Sequence, residues 1–184
     1  MHNCAYDERS QNNNGLNMTL QHSTAPVLVT GASGYIASWV IQKLLKQGYT
    51  VHATVRDLNK TQSYTHLEQI ADSSPGTLKL FEANLLKPGS FDAAMEGCEI
   101  VFHMASPFVV TNYKDALKDI IEPAILGTQN VLNSVNKTES VKRVIVTSSI
   151  ASTYGDAIDI LQTEHTSFDE SHWNTTSSET HQPY

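Results

Sequence analysis

Cysteine is scarce in this 184-residue chain, with only Cys4 and Cys98 present. Two distant thiols match neither a disulfide framework nor a metal-binding or redox spacing. The eight histidines do not form an H-E-x-x-H pattern either. We therefore expect no bound metal ion and a reducing, cytoplasmic location.

Long apolar runs and an excess of basic residues are also lacking. No segment approaches the ~20 consecutive apolar residues of a transmembrane helix, and the N-terminal segment has no apolar core typical of a secretory signal. Lys and Arg total 12 against 19 Asp and Glu, for a formal net charge of −7. We expect neither a nucleic-acid partner nor a membrane partner.

The N-terminal segment 1–25 is polar and of low complexity, with three consecutive asparagines at 12–14. This composition predicts a disordered leader. The remainder, 26–184, has the length and hydrophobic content of one domain with a core.

From Pro26 onward, short apolar runs alternate with helical patterns. Strands are predicted at 26–30, 49–55, 77–83, 99–105 and 141–149, and helices at 35–47, 65–71, 90–97 and 115–135. Such alternation predicts an α/β fold with a doubly wound parallel sheet. We further expect Ser90 to cap its helix and Pro123 to kink or break its helix. The periodicity fades from Ile150 onward, and 166–184 is predicted to be loop.

The stretch "VTGASGYIASWV" joins the first strand to the first helix. Gly31 permits a tight turn, Gly34 permits close backbone approach, and Ala37 lets the helix pack on the strand. A phosphate can then bind the unpaired N–H groups at the helix N-terminus. The strand–loop–helix context favours a dinucleotide site over a glycine-rich turn without a ligand.

The end of the second strand bears on which dinucleotide is bound. In "TVRD", Arg56 directly follows Val55, and an arginine can pair with a 2′-phosphate. NADP is therefore favoured over NAD, with Lys60 as a second cation. Asp57 leaves a ribose contact open, and Arg56 can also be read as a solvated charge.

Several other side chains have structural interpretations. His103 and Trp39 are predicted to be packed in a strand and a helix, and His165 and His172 to be solvated. The serine pair 148–149 follows the fifth strand, on the ligand side of a parallel sheet. From the residues alone, these hydroxyls serve a site or only cap the next turn.

Taken as an ordered set, these motifs resemble the extended short-chain dehydrogenase/reductases. The similarity is to the branch of dihydroflavonol, cinnamoyl-CoA and microbial aldehyde or ketone reductases. It is carried by "VLVTGASGYIASWV", "VHATVRD", "LKLFEANLL", "GCEIVFHMASP", "GTQNVLNS", "VKRVIVTSSIAS" and "FDESHW".

The resemblance implies an NAD(P)-binding Rossmann fold with strand order 3-2-1-4-5. It also implies roles for individual residues: Gly31, Ser33, Gly34, Tyr35 and Ile36 at the pyrophosphate, Arg56 and Lys60 at the 2′-phosphate, Asn84 and Leu85 at the adenine, and Ala105, Ser106 and Thr147 at the nicotinamide half. Asn84 departs from the Asp usual in the family.

The same resemblance implies hydride transfer to the carbonyl of a small-molecule substrate. Ser149, or Ser148 in the alternative register, would bind the carbonyl oxygen, and Tyr184 would supply the proton. No tyrosine is followed four residues later by the lysine that lowers its pKa. We therefore expect a fragment without the C-terminal substrate lobe and with little or no turnover by itself.

Three functions remain open from the sequence: an NADP-dependent carbonyl reductase, an NAD-dependent epimerase or dehydratase of the same fold, and a non-catalytic nucleotide-binding module. The sequence indicates neither the substrate nor the oligomeric state.

Overall fold

A computed structural model describes residues 24–107 and 113–183. The predicted leader, 1–25, lies almost wholly outside the described residues. Five parallel strands form the sheet of the described chain, in the predicted order β3-β2-β1-β4-β5. They are β1 (Val27–Val29), β2 (Thr50–Val55), β3 (Thr77–Glu82), β4 (Ile100–His103) and β5 (Arg143–Val146).

Within the described residues, four α-helices connect these strands. They are α1 (Tyr35–Lys46), α2 (Thr65–Asp72), α3 (Asp92–Met95) and α4 (Glu122–Lys137). Among the described residues, no helix is long and apolar enough to cross a membrane.

The central strand β1 separates two apolar layers because successive residues point to opposite faces of the sheet. Val29 packs with Ile41, Leu45 and Leu67 of α1 and α2 on one face. On the other face, a second cluster contains Leu28, Phe91, Met95, Val101 and Val131. The parallel sheet is thus covered on both faces, as predicted.

The strand order places a reversal of direction next to β1. The chain moves outward from β1 to β2 and β3, then returns to β4 on the other side of β1 and continues to β5. In open α/β sheets, ligands bind at the carboxyl ends of the strands beside such a switch point. The glycine loop after β1 lies at this position.

Two local predictions about helix ends had different outcomes. At Pro123, where a kink or break was predicted, the helix changes type without interruption: the π-helical segment Leu117–Ile121 leads directly into α4 at Glu122, and Ile121 and Glu122 both have helical dihedral angles. Proline has no N–H to continue a regular helix but is tolerated in its first turn. The predicted cap was wrong, because the Ser90 hydroxyl instead donates to the Asn84 carbonyl at 2.7 Å.

Apolar periodicity fades after Ile150, and 166–184 was predicted to be loop; the described part of it, 166–183, contains no helix and no named strand, in agreement with the prediction. Two 3₁₀ helices, Ile150–Ser152 and Ala157–Gln162, precede this loop. The Asp156 and Asp159 side chains form a reciprocal capping box around the second helix. Such short-range polar caps need no apolar periodicity, so the sequence pattern did not reveal them.

Three aromatic predictions can also be compared with the structure. His103 is buried in β4, as predicted. Trp39 is 52 % exposed and meets Tyr35 edge-to-face, so its prediction as a packed residue was wrong. His172 was predicted to be solvated, yet its side chain is largely buried beside Phe168.

Gly76 provides a test of the packing between α1 and the start of β3. Its N–H donates to the Leu45 carbonyl at 2.9 Å, and an added Cβ would lie 2.5 Å from the Tyr49 carbonyl oxygen and 2.8 Å from Leu45 Cα. We expect Gly76→Ala to lower the free energy of unfolding by about 1–3 kcal/mol, since backbone atoms must move. Urea unfolding measures the change, with exposed Ser73→Ala as the control. Equal stability of the two variants would contradict this packing.

Candidate dinucleotide site

The loop after β1 approaches the end of β4 at backbone distance. Gly31 has φ +68°, and an added Cβ would lie 2.8 Å from Ala105 Cα. The conformation and the missing space both require glycine here. The Gly31 N–H donates to Thr54 Oγ1 at 3.3 Å, so the same residue also contacts the end of β2.

The N-terminus of α1 is left open to an anion. Gly34 precedes the helix without a side-chain cap, and the first turn contains no acidic residue. The first hydrogen bond that closes the helix runs from Ser38 N to the Gly34 carbonyl at 2.9 Å. The N–H groups of the exposed Tyr35 and Ile36 therefore point, with the positive end of the helix dipole, toward incoming negative charge.

Thr30 holds the loop after β4 close to the loop after β1, a role that the sequence did not reveal. Its buried Oγ1 lies 3.0 Å from both Met104 N and Ala105 N and 2.9 Å from His103 Nδ1. The two N–H groups donate to the hydroxyl oxygen, so the hydroxyl hydrogen is donated to Nδ1. His103 is then neutral with its proton on Nε2, and burial lowers the pKa of this imidazole.

The signal for this contact was present in the sequence. Thr30 ends the first strand motif "VLVT" and His103 ends "IVFH", so both stand at the carboxyl ends of strands. Only the strand order, which makes β1 and β4 neighbours, brings them together. Their joint effect is to hold Ala105 against Gly31.

Arg56 and Asp57 are adjacent in sequence but differ in their contacts. Arg56 is exposed, and no hydrogen bond or ion pair within the described parts of the chain engages its side chain. Asp57 Oδ1 instead accepts from the Asn59 backbone N–H at 2.9 Å and from Asn59 Nδ2 at 3.2 Å. One oxygen of the Asp57 carboxylate is thus engaged by its own turn, while the Arg56 guanidinium has no partner within residues 24–107 and 113–183. Lys60, at the end of that turn, is also exposed.

Asn84 and Leu85 lie after β3, where the backbone is held from two sides. Asn84 Oδ1 accepts from Leu86 N at 2.9 Å, and Asn130 Nδ2 donates to the Leu85 carbonyl at 2.7 Å. The outward polar group of Asn84 is therefore its NH₂. A carboxylate at this position would present an acceptor instead, so the departure from the family changes the hydrogen-bonding character.

The serine pair follows β5, whose end is tied to β4 by a bond from Thr147 N to the His103 carbonyl at 3.0 Å. Ser149 Oγ accepts from Ala151 N at 3.2 Å and so caps the 3₁₀ turn. Ser148 Oγ donates to Ser152 Oγ at 3.1 Å. The Ser149 cap uses only a lone pair, which leaves its hydrogen to donate, whereas Ser148 is already committed as a donor.

The remaining predicted residues divide between the two loops. Ser33 is exposed on the glycine loop, and Ser106 is exposed directly after Ala105. Tyr184 lies outside the described residues. The structure thus gathers Gly31, Thr54 and Ala105 at the switch point by direct contacts, with Arg56 and Ser149 at the ends of the flanking strands.

Comparison with known families agrees with this geometry. The model of the NAD dependent epimerase/dehydratase family matches residues 27–179. This chain belongs to that family. The match includes the glycine loop, Arg56 and the serine pair.

Named relatives are reductases. The chain is 54 % identical over 125 residues to a cinnamoyl-CoA reductase of Medicago truncatula, covering 68 % of this chain and 38 % of the relative. It is 40 % identical over 154 residues to a dihydroflavonol 4-reductase of Gerbera hybrida, covering 84 % and 40 %. The chain therefore spans less than half the length of these relatives.

Solved structures share the fold. The structure of Gre2 from Candida albicans in complex with NADPH superposes with a TM-score of 0.68 at 29 % identity, covering 83 % of this chain and 45 % of that chain. This agrees with the Rossmann-type fold that the resemblance implied and that the strand order shows.

Thr30→Val tests the contact beneath the loop. The variant keeps the size of the side chain but removes the acceptor for two N–H groups and the donor to His103. Because these groups are partly or fully buried, we expect the free energy of unfolding to fall by about 2–4 kcal/mol. Urea unfolding measures the loss, and Thr30→Ser, which keeps the hydroxyl, is the matched control. If the valine variant were as stable as the serine variant, the contact would be unimportant.

Proposed function

We propose that this chain is the dinucleotide-binding part of an NADP-dependent reductase. Its substrate would be the carbonyl of a small aldehyde, ketone or dihydroflavonol-like molecule. The observation that carries the proposal is the exposed Arg56 directly after β2, which has no partner among the described residues and stands beside an Asp57 carboxylate held by Asn59. An arginine in this position suits a 2′-phosphate, whereas a free acid would suit a ribose hydroxyl.

The proposal gives each part of the site a role, with 26–184 acting as one nucleotide-binding domain. The pyrophosphate would lie at the open N-terminus of α1, where backbone N–H groups and the helix dipole favour an anion. The residues assigned there are Gly31, Ser33, Gly34, Tyr35 and Ile36. Those assigned to the rest of the cofactor are Arg56, Lys60, Asn84, Leu85, Ala105, Ser106 and Thr147.

In the reaction, the reduced nicotinamide would supply a hydride to the carbonyl carbon. Ser149 would donate its hydroxyl hydrogen to the carbonyl oxygen, where negative charge develops. Its Oγ is held in place by the Ala151 N–H, so little ordering is needed on binding. Tyr184 is the proposed proton donor. A phenol with a pKa near 10 needs a neighbouring cation to act near neutral pH.

The names of similar proteins support a reductase. The cinnamoyl-CoA and dihydroflavonol reductases are similar in sequence, and the Gre2 neighbour is an NADPH complex. The family description supports a second candidate, an NAD-dependent epimerase or dehydratase. Preference for NADH over NADPH would favour that candidate.

Arg56→Asp tests the cofactor assignment. The substitution removes the partner of the 2′-phosphate and supplies an acceptor for a ribose hydroxyl. We expect NADPH binding to weaken by about 1.5–3 kcal/mol, or roughly ten- to a hundred-fold, while NADH binding holds or improves. Fluorescence titration or calorimetry with both cofactors measures the ratio of affinities.

Arg143→Asp is the matched control for this experiment. Arg143 is exposed at the start of β5, at the opposite end of the sheet, and the change in net charge is identical. We expect this control to leave the NADPH-to-NADH ratio nearly unchanged. The same shift in both variants would show that Arg56 acts only through net charge.

A further inference from the structure

A polar bridge joins α2 to the first turn of α1, outside the residues assigned above. His66 Nε2, on the first turn of α2, lies 2.8 Å from Ser38 Oγ of α1. The two residues are 28 positions apart in the chain. The imidazole is exposed, and Ser38 is half-buried.

The other contacts of Ser38 give the direction of this hydrogen bond. Ser38 Oγ lies 2.9 Å from the Gly34 carbonyl and 3.2 Å from the Ala32 carbonyl. A carbonyl only accepts, so the single hydroxyl hydrogen is directed toward these oxygens. The oxygen of Ser38 must then accept from His66 Nε2–H. The result is a relay of hydrogen bonds that all run in one direction: His66 donates to Ser38, and Ser38 donates to the carbonyl groups of the loop that precedes α1.

The other end of this relay, at His66, is connected to the loop between β2 and α2, which contains the cationic side chains. The chain between β2 and α2 contains Arg56 and Lys60 and ends at Tyr64. The buried Tyr64 donates its hydroxyl to the Leu58 carbonyl at 2.7 Å, which fastens that loop to the start of α2. His66 is two residues beyond Tyr64. The relay therefore links the loop of Arg56 with the glycine loop.

We propose that His66 is a positioning residue that sets the spacing between the sites for the pyrophosphate and the 2′-phosphate. The inference rests on the proposed function. NADPH must bind both loops at once, whereas NADH lacks the 2′-phosphate. A shift of one loop relative to the other therefore weakens NADPH binding more than NADH binding.

The packing of α1 against α2 does not depend on this bridge. Buried Leu67 packs in the same apolar cluster as Ile41 and Leu45, on the core side of the two helices. His66 is exposed, so its replacement removes a hydrogen bond without opening a cavity. Variants at this position are expected to fold, which keeps the test interpretable.

The test compares His66→Phe, which has no donor, with His66→Gln, whose side-chain NH₂ can replace Nε2–H. NADPH and NADH are titrated against the whole chain and each variant. We expect His66→Phe to raise the Kd for NADPH about three- to ten-fold and that for NADH less, and His66→Gln to recover most of the loss. Ser38→Ala should act like His66→Phe. The double variant should lose little more than either single change, because both break one relay.

A control and the contrary outcomes complete the test. Ser73→Ala removes a similar hydroxyl bond to the Gln69 and Ile70 carbonyls at the far end of α2 and should not alter the ratio of affinities. If the unmodified chain prefers NADPH and His66→Phe keeps the same ratio, the positioning role is wrong and the proposed function stands. Additive losses in the double variant would also overturn it. If the unmodified chain binds neither cofactor, the proposed function itself fails.

Discussion

The close approach of the Gly31 and Ala105 backbones is the constraint on which the site depends. At this point an added Cβ would lie 2.8 Å from Ala105 Cα, so the loop after β1 and the loop after β4 share one small space. Such contact is stable only if both backbones are fixed. The Thr30 hydroxyl does this by accepting from Ala105 N while the residue itself is covalently joined to Gly31. A single buried oxygen thus aligns two loops that are far apart in sequence.

At the proposed site, anion recognition would be local. The chain carries a net charge of −7, and its long-range field disfavours an anionic ligand. At physiological salt, exposed charges beyond roughly 8 Å are largely screened, so short-range donors decide the outcome. The open first turn of α1 and the Arg56 guanidinium, which no described residue engages, are donors of this kind. The absence of an acid in that turn avoids direct repulsion.

The sequence predicted the layers because they follow from apolar periodicity, which every residue in an element reinforces, whereas the strand order was implied by the resemblance to the extended short-chain dehydrogenase/reductases. The sequence also located the glycine loop, because a residue with left-handed backbone dihedral angles between a strand and a helix is usually glycine, as Gly31 is. It failed where a single polar contact determines the local structure. At Ser90, for example, the hydroxyl donates to the Asn84 carbonyl instead of capping a helix. The bridge from His66 to Ser38 was equally hidden. Exposed polar residues separated by 28 positions carry no periodic signal.

The pair Arg56 and Asp57 shows what the structure adds to the proposed cofactor preference. In sequence, both neighbours are candidates for the ribose end: Arg56 for a phosphate, which is the favoured interpretation, and Asp57 for a hydroxyl. Asn59 distinguishes the two side chains, because its backbone and side-chain nitrogens both donate to Asp57 Oδ1. A carboxylate with one oxygen engaged by its own turn is a weaker competitor for a ribose hydroxyl. The proposed preference for NADP therefore rests on a local turn as well as on the presence of an arginine, and a motif that records Arg56 alone omits the contacts of Asp57.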